Sequence, residues 1–135
     1  MFEKHTFLYV EDDSLSREVM SMIFRAAMQI DTLTIFQDSH NFEARLTTLP
    51  QRPSMILLDI HVLPIDGFRM LAIIKNLPEF EGVPVIAVTA SVMNEEFKQF
   101  KDKGFDGAIG KPINVETLPL LIERIMNGEE VWHIS

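Results

Sequence analysis

Side chains that could bind a metal ion or a phosphoryl group stand directly after several short apolar segments. Asp59 closes the apolar run at residues 55–58, and a turn-rich stretch follows it. The same kind of position is held by Glu11, Asp12, Thr89 and Lys111. Carboxylates, a hydroxyl and an ammonium that converge on one point would suit Mg²⁺ and a phosphoryl group.

The three acids need a compensating positive charge if the fold brings them together. Glu11, Asp12 and Asp59 would repel one another and raise each other's pKa unless a cation neutralised them. A divalent ion, Mg²⁺ or Mn²⁺, accounts for the whole set because both ions prefer oxygen ligands. Asp13 is kept out of the set because it fits better as a helix N-cap.

A phosphoryl group could be accepted at the same point. A carboxylate such as Asp59 can act as a nucleophile and form an acyl phosphate. Lys111 can pair with a phosphoryl oxygen as a point charge, and Thr89 can donate a hydrogen bond to another. Backbone N–H groups near Ala90 would add further donors.

The elements that position these residues are five strand-like segments alternating with five helical ones. The predicted strands span residues 7–10, 32–36, 55–58, 83–88 and 106–109. Their continuously apolar runs indicate burial on both faces, which is typical of a parallel sheet covered by helices. The sequence therefore predicts an α/β fold, a doubly wound (βα)5 five-stranded parallel sheet with five helices on both faces. In such sheets the ligand site lies beyond the carboxyl ends of the strands.

Capping residues mark the helices between these strands. The predicted N-caps are Asp13 or Ser14, Ser39, Asp66 and Asn94, and Gly104 is a predicted C-cap. The last helix is predicted over residues 115–126. The first helix is expected to turn one apolar side inward, formed by Leu15, Val19, Met22, Ile23 and Ala26.

Composition excludes several functional classes. The 135 residues suit one domain, and the absence of cysteine rules out disulfides and thiolate metal sites. A net charge of −8 argues against direct contact with nucleic acid. No apolar run reaches the ~18 residues that span a bilayer, and the N-terminus lacks a secretory signal. We therefore expect a cytoplasmic protein without a membrane partner.

Five short motifs together resemble the receiver domain of bacterial two-component response regulators. They are Tyr-Val-Glu-Asp-Asp at 9–13, Leu-Leu-Asp-Ile at 57–60, Asp-Gly at 66–67, Val-Thr-Ala at 88–90 and Lys-Pro at 111–112. Each motif alone is weak, and their order and their placement at strand ends carry the resemblance. It implies a flavodoxin-like receiver over residues 1–128 and a short C-terminal tail, 129–135, with no output domain.

The resemblance implies a role for each matching residue. Asp59 matches the phosphoacceptor, which takes its phosphoryl group from a histidine kinase or a histidine phosphotransfer protein. Asp12 matches the direct Mg²⁺ ligand, Glu11 its acidic neighbour, and the backbone carbonyl of His61 the remaining protein ligand. The phosphoryl-binding and switch positions match Thr89, Ala90 and Lys111.

Two positions depart from the family's pattern. A proline usually lies four residues after the phosphoacceptor, but Leu63 stands there and Pro64 follows, so the loop is expected to bend differently. The aromatic residue that usually lies three positions before the lysine is replaced by Ala108. Any switch must then work through movement of backbone or helices. Trp132 is expected either to pack on the last helix or to lie in a dimer contact.

The expected function is that of a single-domain response regulator. Phosphorylation of Asp59 would change its binding to a downstream protein that the sequence does not name, and a homodimer stays open. Such a protein is a regulatory phosphoacceptor rather than an enzyme. The alternatives are a pseudo-receiver that binds partners without phosphotransfer, a phosphatase of the haloacid-dehalogenase type, and a flavin-binding domain of the same architecture.

Overall fold

Strands and helices alternate through residues 5–90 and 94–133, the parts of the chain that the computed structural model describes. The strands are β1 (Phe7–Val10), β2 (Leu33–Phe36), β3 (Met55–Asp59), β4 (Val85–Thr89), β5 (Gly107–Gly110) and β6 (Val131–His133). The helices are α1 (Ser14–Met22), α2 (Phe42–Thr47), α3 (Gly67–Lys75), α4 (Asn94–Lys103) and α5 (Leu118–Met126). A π-helical turn, Ile23–Ala27, extends α1, and a 3-10 turn, Pro78–Phe80, follows α3. No helix within these residues is long and apolar enough to cross a membrane.

All strand pairs are parallel, in the order β2-β1-β3-β4-β5-β6. Every residue of β1, β3, β4 and β5 is buried, as the continuously apolar segments predict. The chain reverses its direction of winding at β1, which lies between β2 and β3. The crevice at the carboxyl ends of β1 and β3 is therefore the expected ligand site.

Two hydrophobic cores cover the two faces of the sheet. One packs α2, α3 and α4 against it through residues such as Phe42, Met70 and Phe100. The other packs α1 and α5 through residues such as Met20 and Ile122. The doubly wound architecture predicted from the sequence is confirmed.

The predicted inner side of α1 is wrong at three positions. Leu15, Met22 and Ala26 are exposed, whereas Met20 and Phe24 are completely buried. Both sets of residues have helical spacing, so periodicity alone does not choose between them. The Phe24 ring decides the outcome, because it packs edge-on against Phe7 of β1 at 5.1 Å between ring centroids.

The sheet has a sixth strand where the sequence predicts a tail. Val131–His133 pair in parallel with β5, so the expected five-stranded sheet gains one edge strand. The side chain of Val131 is buried, and that of Trp132 is half-buried. A three-residue strand is too short to give a periodic signal, which is why the sequence does not predict it.

Candidate functional site

Three carboxylates meet where β1 and β3 end. Glu11 directly follows β1, Asp59 is the last residue of β3, and the neighbouring pair Val10 and Leu58 sets the register of the two strands. Oxygen atoms of Glu11, Asp12 and Asp59 lie within 4.8 Å of one another. Glu11 and Asp59 are buried, whereas Asp12 is exposed. The structure thus brings the predicted acids together, with one of them open to solvent.

Lys111 reaches the same point from the end of β5. Its backbone N–H donates to the carbonyl of Thr89 at 2.8 Å, which ties the ends of β4 and β5 together. Its ammonium lies 2.6 Å from Glu11 Oε1 and 3.6 Å from Asp59 Oδ2. One positive charge therefore serves two buried acids, so the cluster keeps excess negative charge when both acids are ionised.

Glu11 is held as a carboxylate. Burial, the largest single influence, would raise its pKa, but hydrogen bonds with Asp59, Lys111 and Tyr9 and the charge of Lys111 together lower it. The Tyr9 hydroxyl also donates to Glu11 Oε1, at 2.6 Å. Burial and the adjacent carboxylate raise the pKa of Tyr9 far above its ordinary value, so Tyr9 stays a donor. No sequence pattern predicts this role for Tyr9, which lies in the middle of an apolar strand.

Asp59 is the acid whose ionisation is costly. Burial, followed by its hydrogen bond with Glu11 and the charge of Glu11, raises the pKa of Asp59 to about 7. The Lys111 ammonium and the His61 N–H, which donates to Asp59 Oδ1 at 3.3 Å, offset only part of this rise. A cation bound here would take the place of a proton.

The donor set fits a hard divalent ion. Three carboxylates from two strand ends supply oxygen ligands, which Mg²⁺ and Mn²⁺ prefer. The exposed Asp12 leaves the site open to solvent, as suits an ion that keeps several water ligands. The side chain of His61 is exposed, and the role of its backbone carbonyl as a ligand stays a prediction.

The affinity for Mg²⁺ should therefore depend on pH. Because Asp59 must lose its proton to bind the ion, we expect constant affinity well above pH about 7 and about tenfold weaker binding for each pH unit below it. Isothermal titration calorimetry in buffers of different ionisation enthalpy would measure the protons released. Release should approach one proton per ion at about pH 6 and fall toward zero at about pH 8.5. Affinity that does not change across this interval would contradict the assignment.

Thr89 and Ala90 lie beside these acids at the end of β4. Asp59 of β3 pairs with Val88 of β4, and Thr89 is the next residue along β4. Thr89 is buried and Ala90 is exposed. Their phosphoryl-binding roles stay predictions. Ser91, two residues beyond Thr89, is at a position expected from the sequence to tune the access of water to the site, but it lies outside the described residues.

Ser39 holds the loop that follows β3, a role that the sequence analysis missed. Its buried hydroxyl donates to the carbonyl of Ile65 at 2.6 Å and accepts from the Ile65 N–H at 2.8 Å. Its backbone N–H donates to the carbonyl of Leu63 at 3.1 Å. The predicted N-cap role of Ser39 is wrong, because α2 begins at Phe42 and Asn41 precedes it.

These contacts fix the loop whose proline is displaced. The Leu63–Pro64 peptide bond is cis, and the side chain of Leu63 is 71% exposed. The loop then enters α3, where Asp66 is the N-cap, as predicted, and accepts from the Arg69 N–H at 2.9 Å. The loop therefore depends on a residue 26 positions away, Ser39, for its shape.

Ser39→Ala should lower the free energy of unfolding by about 1–3 kcal/mol. The substitution leaves the N–H and carbonyl of Ile65 without their hydroxyl partner in a partly buried place. Urea unfolding would measure the loss, with Ser14→Ala as a control because Ser14 is exposed. A change no larger than that of the control would show that the loop does not depend on Ser39.

Comparison with known proteins agrees with this geometry. The response regulator receiver domain family matches residues 7–123 of the chain. The chain belongs to this family. Its acidic cluster at the ends of β1 and β3 lies where the resemblance places the receiver's metal site, and the flavodoxin-like fold expected for a receiver is confirmed.

Relatives and solved receivers extend the comparison. The polar-differentiation response regulator DivK of Brucella anthropi is 30% identical over 118 residues, which cover 87% of this chain and 90% of DivK. Stress response regulator protein 1 of Meyerozyma guilliermondii is 29% identical over 111 residues, and the chain spans only 50% of its length. The receiver domain of sensor histidine kinase PA1611 from Pseudomonas aeruginosa superposes with a TM-score of 0.78 at 22% identity, covering 91% of this chain and 98% of that one. In that receiver a magnesium ion is coordinated in the active-site cleft.

Proposed function

We propose that Asp59 accepts a phosphoryl group from a phosphohistidine donor in the presence of Mg²⁺, and that this change alters the proteins the receiver binds. One observation carries the proposal. A buried strand-end carboxylate with a pKa raised to about 7 lies beside two further acids and within 3.6 Å of the Lys111 ammonium. A carboxylate whose surroundings make its ionisation this unfavourable is typical of a functional site.

Metal binding and nucleophilic attack are proposed for the residues at the ends of β1 and β3. Glu11, Asp12, Asp59 and the backbone carbonyl of His61 would hold the ion, which supplies positive charge beside the phosphoryl oxygens. An oxygen of Asp59 attacks phosphorus, the bond from phosphorus to the donor's imidazole nitrogen breaks, and the imidazole leaves as the other product.

Lys111 and Thr89 then bind the transferred group. The Lys111 ammonium exchanges part of its contact with Glu11 for a phosphoryl oxygen, and the Thr89 hydroxyl donates to another oxygen. Backbone N–H groups near Ala90 complete the donor set. We therefore expect the phosphoryl-dependent movement at the ends of β4 and β5.

The alternatives are less well supported. A pseudo-receiver without phosphotransfer has no need for the converging acids and lysine. In a phosphatase of the haloacid-dehalogenase type the nucleophile would lie on the first strand, whereas Asp59 ends the third. The protein is therefore proposed to be a regulatory phosphoacceptor rather than an enzyme with turnover.

The biological setting is proposed on the same grounds. The donor is a histidine kinase or a histidine phosphotransfer protein, and the downstream partner is a protein that the sequence does not name. A bacterial source, a cytoplasmic location and a single receiver domain over residues 1–128 stay proposals, as does a homodimer.

Incubation with Mg²⁺ and acetyl phosphate tests the proposal. The intact mass of the protein should rise by one phosphoryl group, and EDTA should abolish the gain because the acids then lack their cation. Asp59→Asn should show no gain, whereas Asp13→Asn serves as a control that keeps it, since Asp13 caps α1. Labelling that persists in Asp59→Asn would place the acceptor elsewhere.

A further inference from the structure

The edge of β5 is shaped to receive a second strand. Gly107 lies opposite Val131, and a Cβ atom placed on Gly107 would stand 2.5 Å from the Val131 carbonyl oxygen. Any residue with a side chain at position 107 would therefore push β6 away. The glycine allows close approach of an extended backbone to this edge.

The groove beside β5 also holds an aromatic ring. Trp132 pairs with Ala108, whose small side chain leaves space over the strand. The indole contacts Phe97 of α4, with ring centroids 6.4 Å apart, and the Lys101 ammonium lies 5.7 Å from the indole centroid. Phe97, Ala108 and Lys101 thus form a subsite for an aromatic side chain with a cation at its rim.

Glu130, two positions before Trp132, contacts the same lysine. Glu130 Oε1 lies 3.8 Å from Lys101 Nζ and accepts from the Trp132 indole N–H at 3.3 Å. Between them, Val131 turns to the opposite face and is buried in the core that α1 and α5 cover. The segment 130–132 therefore reads as acid, aliphatic, aromatic, with alternate side chains on opposite faces.

The segment is held weakly enough to be displaced. Among the described residues, three from this segment pair with β5, namely 131–133. Both partners of the ion pair at Lys101 are more than half exposed, and Gly128, with φ +90°, links the segment to α5. Exposed ion pairs contribute little stability, and short edge strands open most easily.

We propose that the groove between α4 and β5 is a binding site for an extended segment with an acidic residue two positions before an aromatic one. Residues 130–132 of this chain occupy the groove in cis, and a partner protein presenting the same pattern binds by displacing them and pairing with β5. The groove needs no phosphoryl group, so this site stands independently of the function proposed for Asp59.

A labelled peptide tests the site on the full-length protein. The probe is fluorescein-labelled Gly-Glu-Glu-Val-Trp-His, the sequence of residues 128–133, and its binding is measured by fluorescence anisotropy. A tethered segment competes at an effective concentration of about 1 mM, so Trp132→Ala, which removes the anchor in cis, should bind the probe at least about tenfold more tightly than the unaltered chain. Adding Lys101→Glu should cancel this gain, whereas Lys103→Glu, the matched control at an exposed position of the same helix, should not.

The native tryptophan gives a second readout without any substitution. Trp132 is the only tryptophan of the chain, so acrylamide quenching of its fluorescence reports displacement directly. An unlabelled peptide with Phe in place of Trp should increase the quenching, and the same peptide with Ala there should not.

Equal probe affinity for the unaltered and Trp132→Ala proteins, including no binding to either, would overturn the proposal. So would equal effects of Lys101→Glu and Lys103→Glu, or a dimer that Trp132→Ala dissociates, since β6 would then dock between two copies.

Discussion

Asp59→Asn should stabilise the metal-free protein, although it removes a polar contact of a buried residue. At about pH 8 the ionised Asp59 is buried beside Glu11, and this cost disappears when the side chain becomes a neutral amide. We expect the free energy of unfolding to rise by about 1–2 kcal/mol, less than the full pKa shift implies, because the contact with Lys111 is lost as well.

The sign of the pH dependence follows from the raised pKa. The folded protein holds the Asp59 proton up to pH about 7, whereas the unfolded chain releases it near the ordinary value of 3.8. The contribution of Asp59 to stability therefore falls as pH rises between these two values and stays low above them. The advantage of Asp59→Asn should be small at about pH 5 and largest at about pH 8.

Urea unfolding in EDTA at these two pH values would measure the effect. Asp66→Ala is the matched control: Asp66 caps α3, so its loss should destabilise the protein by about 1 kcal/mol at both pH values. If Asp59→Asn destabilises the protein as Asp66→Ala does, by a similar amount at both pH values, then Asp59 has a structural role in the turn. Its ionisation would then not lower the stability of the folded protein.

Lys111→Met should destabilise the metal-free protein by about 3 kcal/mol, because it leaves the buried Glu11 carboxylate without its cation. Methionine keeps most of the side chain's volume, so the loss reports charge rather than packing. Saturating Mg²⁺ should restore much of the stability, since the ion supplies the missing positive charge.

Thermal unfolding with EDTA and with Mg²⁺ would check both parts of this prediction, using the exposed Lys103→Met as a control. Glu11→Gln combined with Lys111→Met should cost less than the sum of the single changes, because the two side chains are in direct contact. If Lys111→Met lowers stability equally with and without Mg²⁺, then Lys111 and the ion do not neutralise the same carboxylates.

The sequence predicts the acidic cluster because the strands are short, apolar and parallel. Residues that follow such strands share one edge of the sheet, so Glu11, Asp59 and Lys111 could be placed together without knowing any contact between them. The aspartate N-caps of α1 and α3 were predictable for a similar reason, since they depend on hydrogen bonds over three residues.

The features that sequence analysis missed depend on distant contacts. Ser39 has the residue type of an N-cap, but its hydroxyl binds Ile65, and no local pattern announces that partner. Met22 lies at helical spacing among apolar residues, yet it is exposed. Phe24 lies on the buried side of the helix instead, because its ring packs on Phe7. The sequence allows two locations for Trp132, on the last helix or in a dimer contact. The structure places it against α4 instead, beside the alanine that replaces the family's aromatic residue.

Borohydride reduction of the protein after treatment with Mg²⁺ and acetyl phosphate tests the central claim most directly. An acyl phosphate is reduced to an alcohol, so peptide mass mapping should find homoserine in place of Asp59, with Asp12, Asp13 and Asp66 unchanged. Homoserine at any of those other positions, or an unmodified residue 59 in protein that carries the phosphoryl mass, would contradict the assignment of the acceptor.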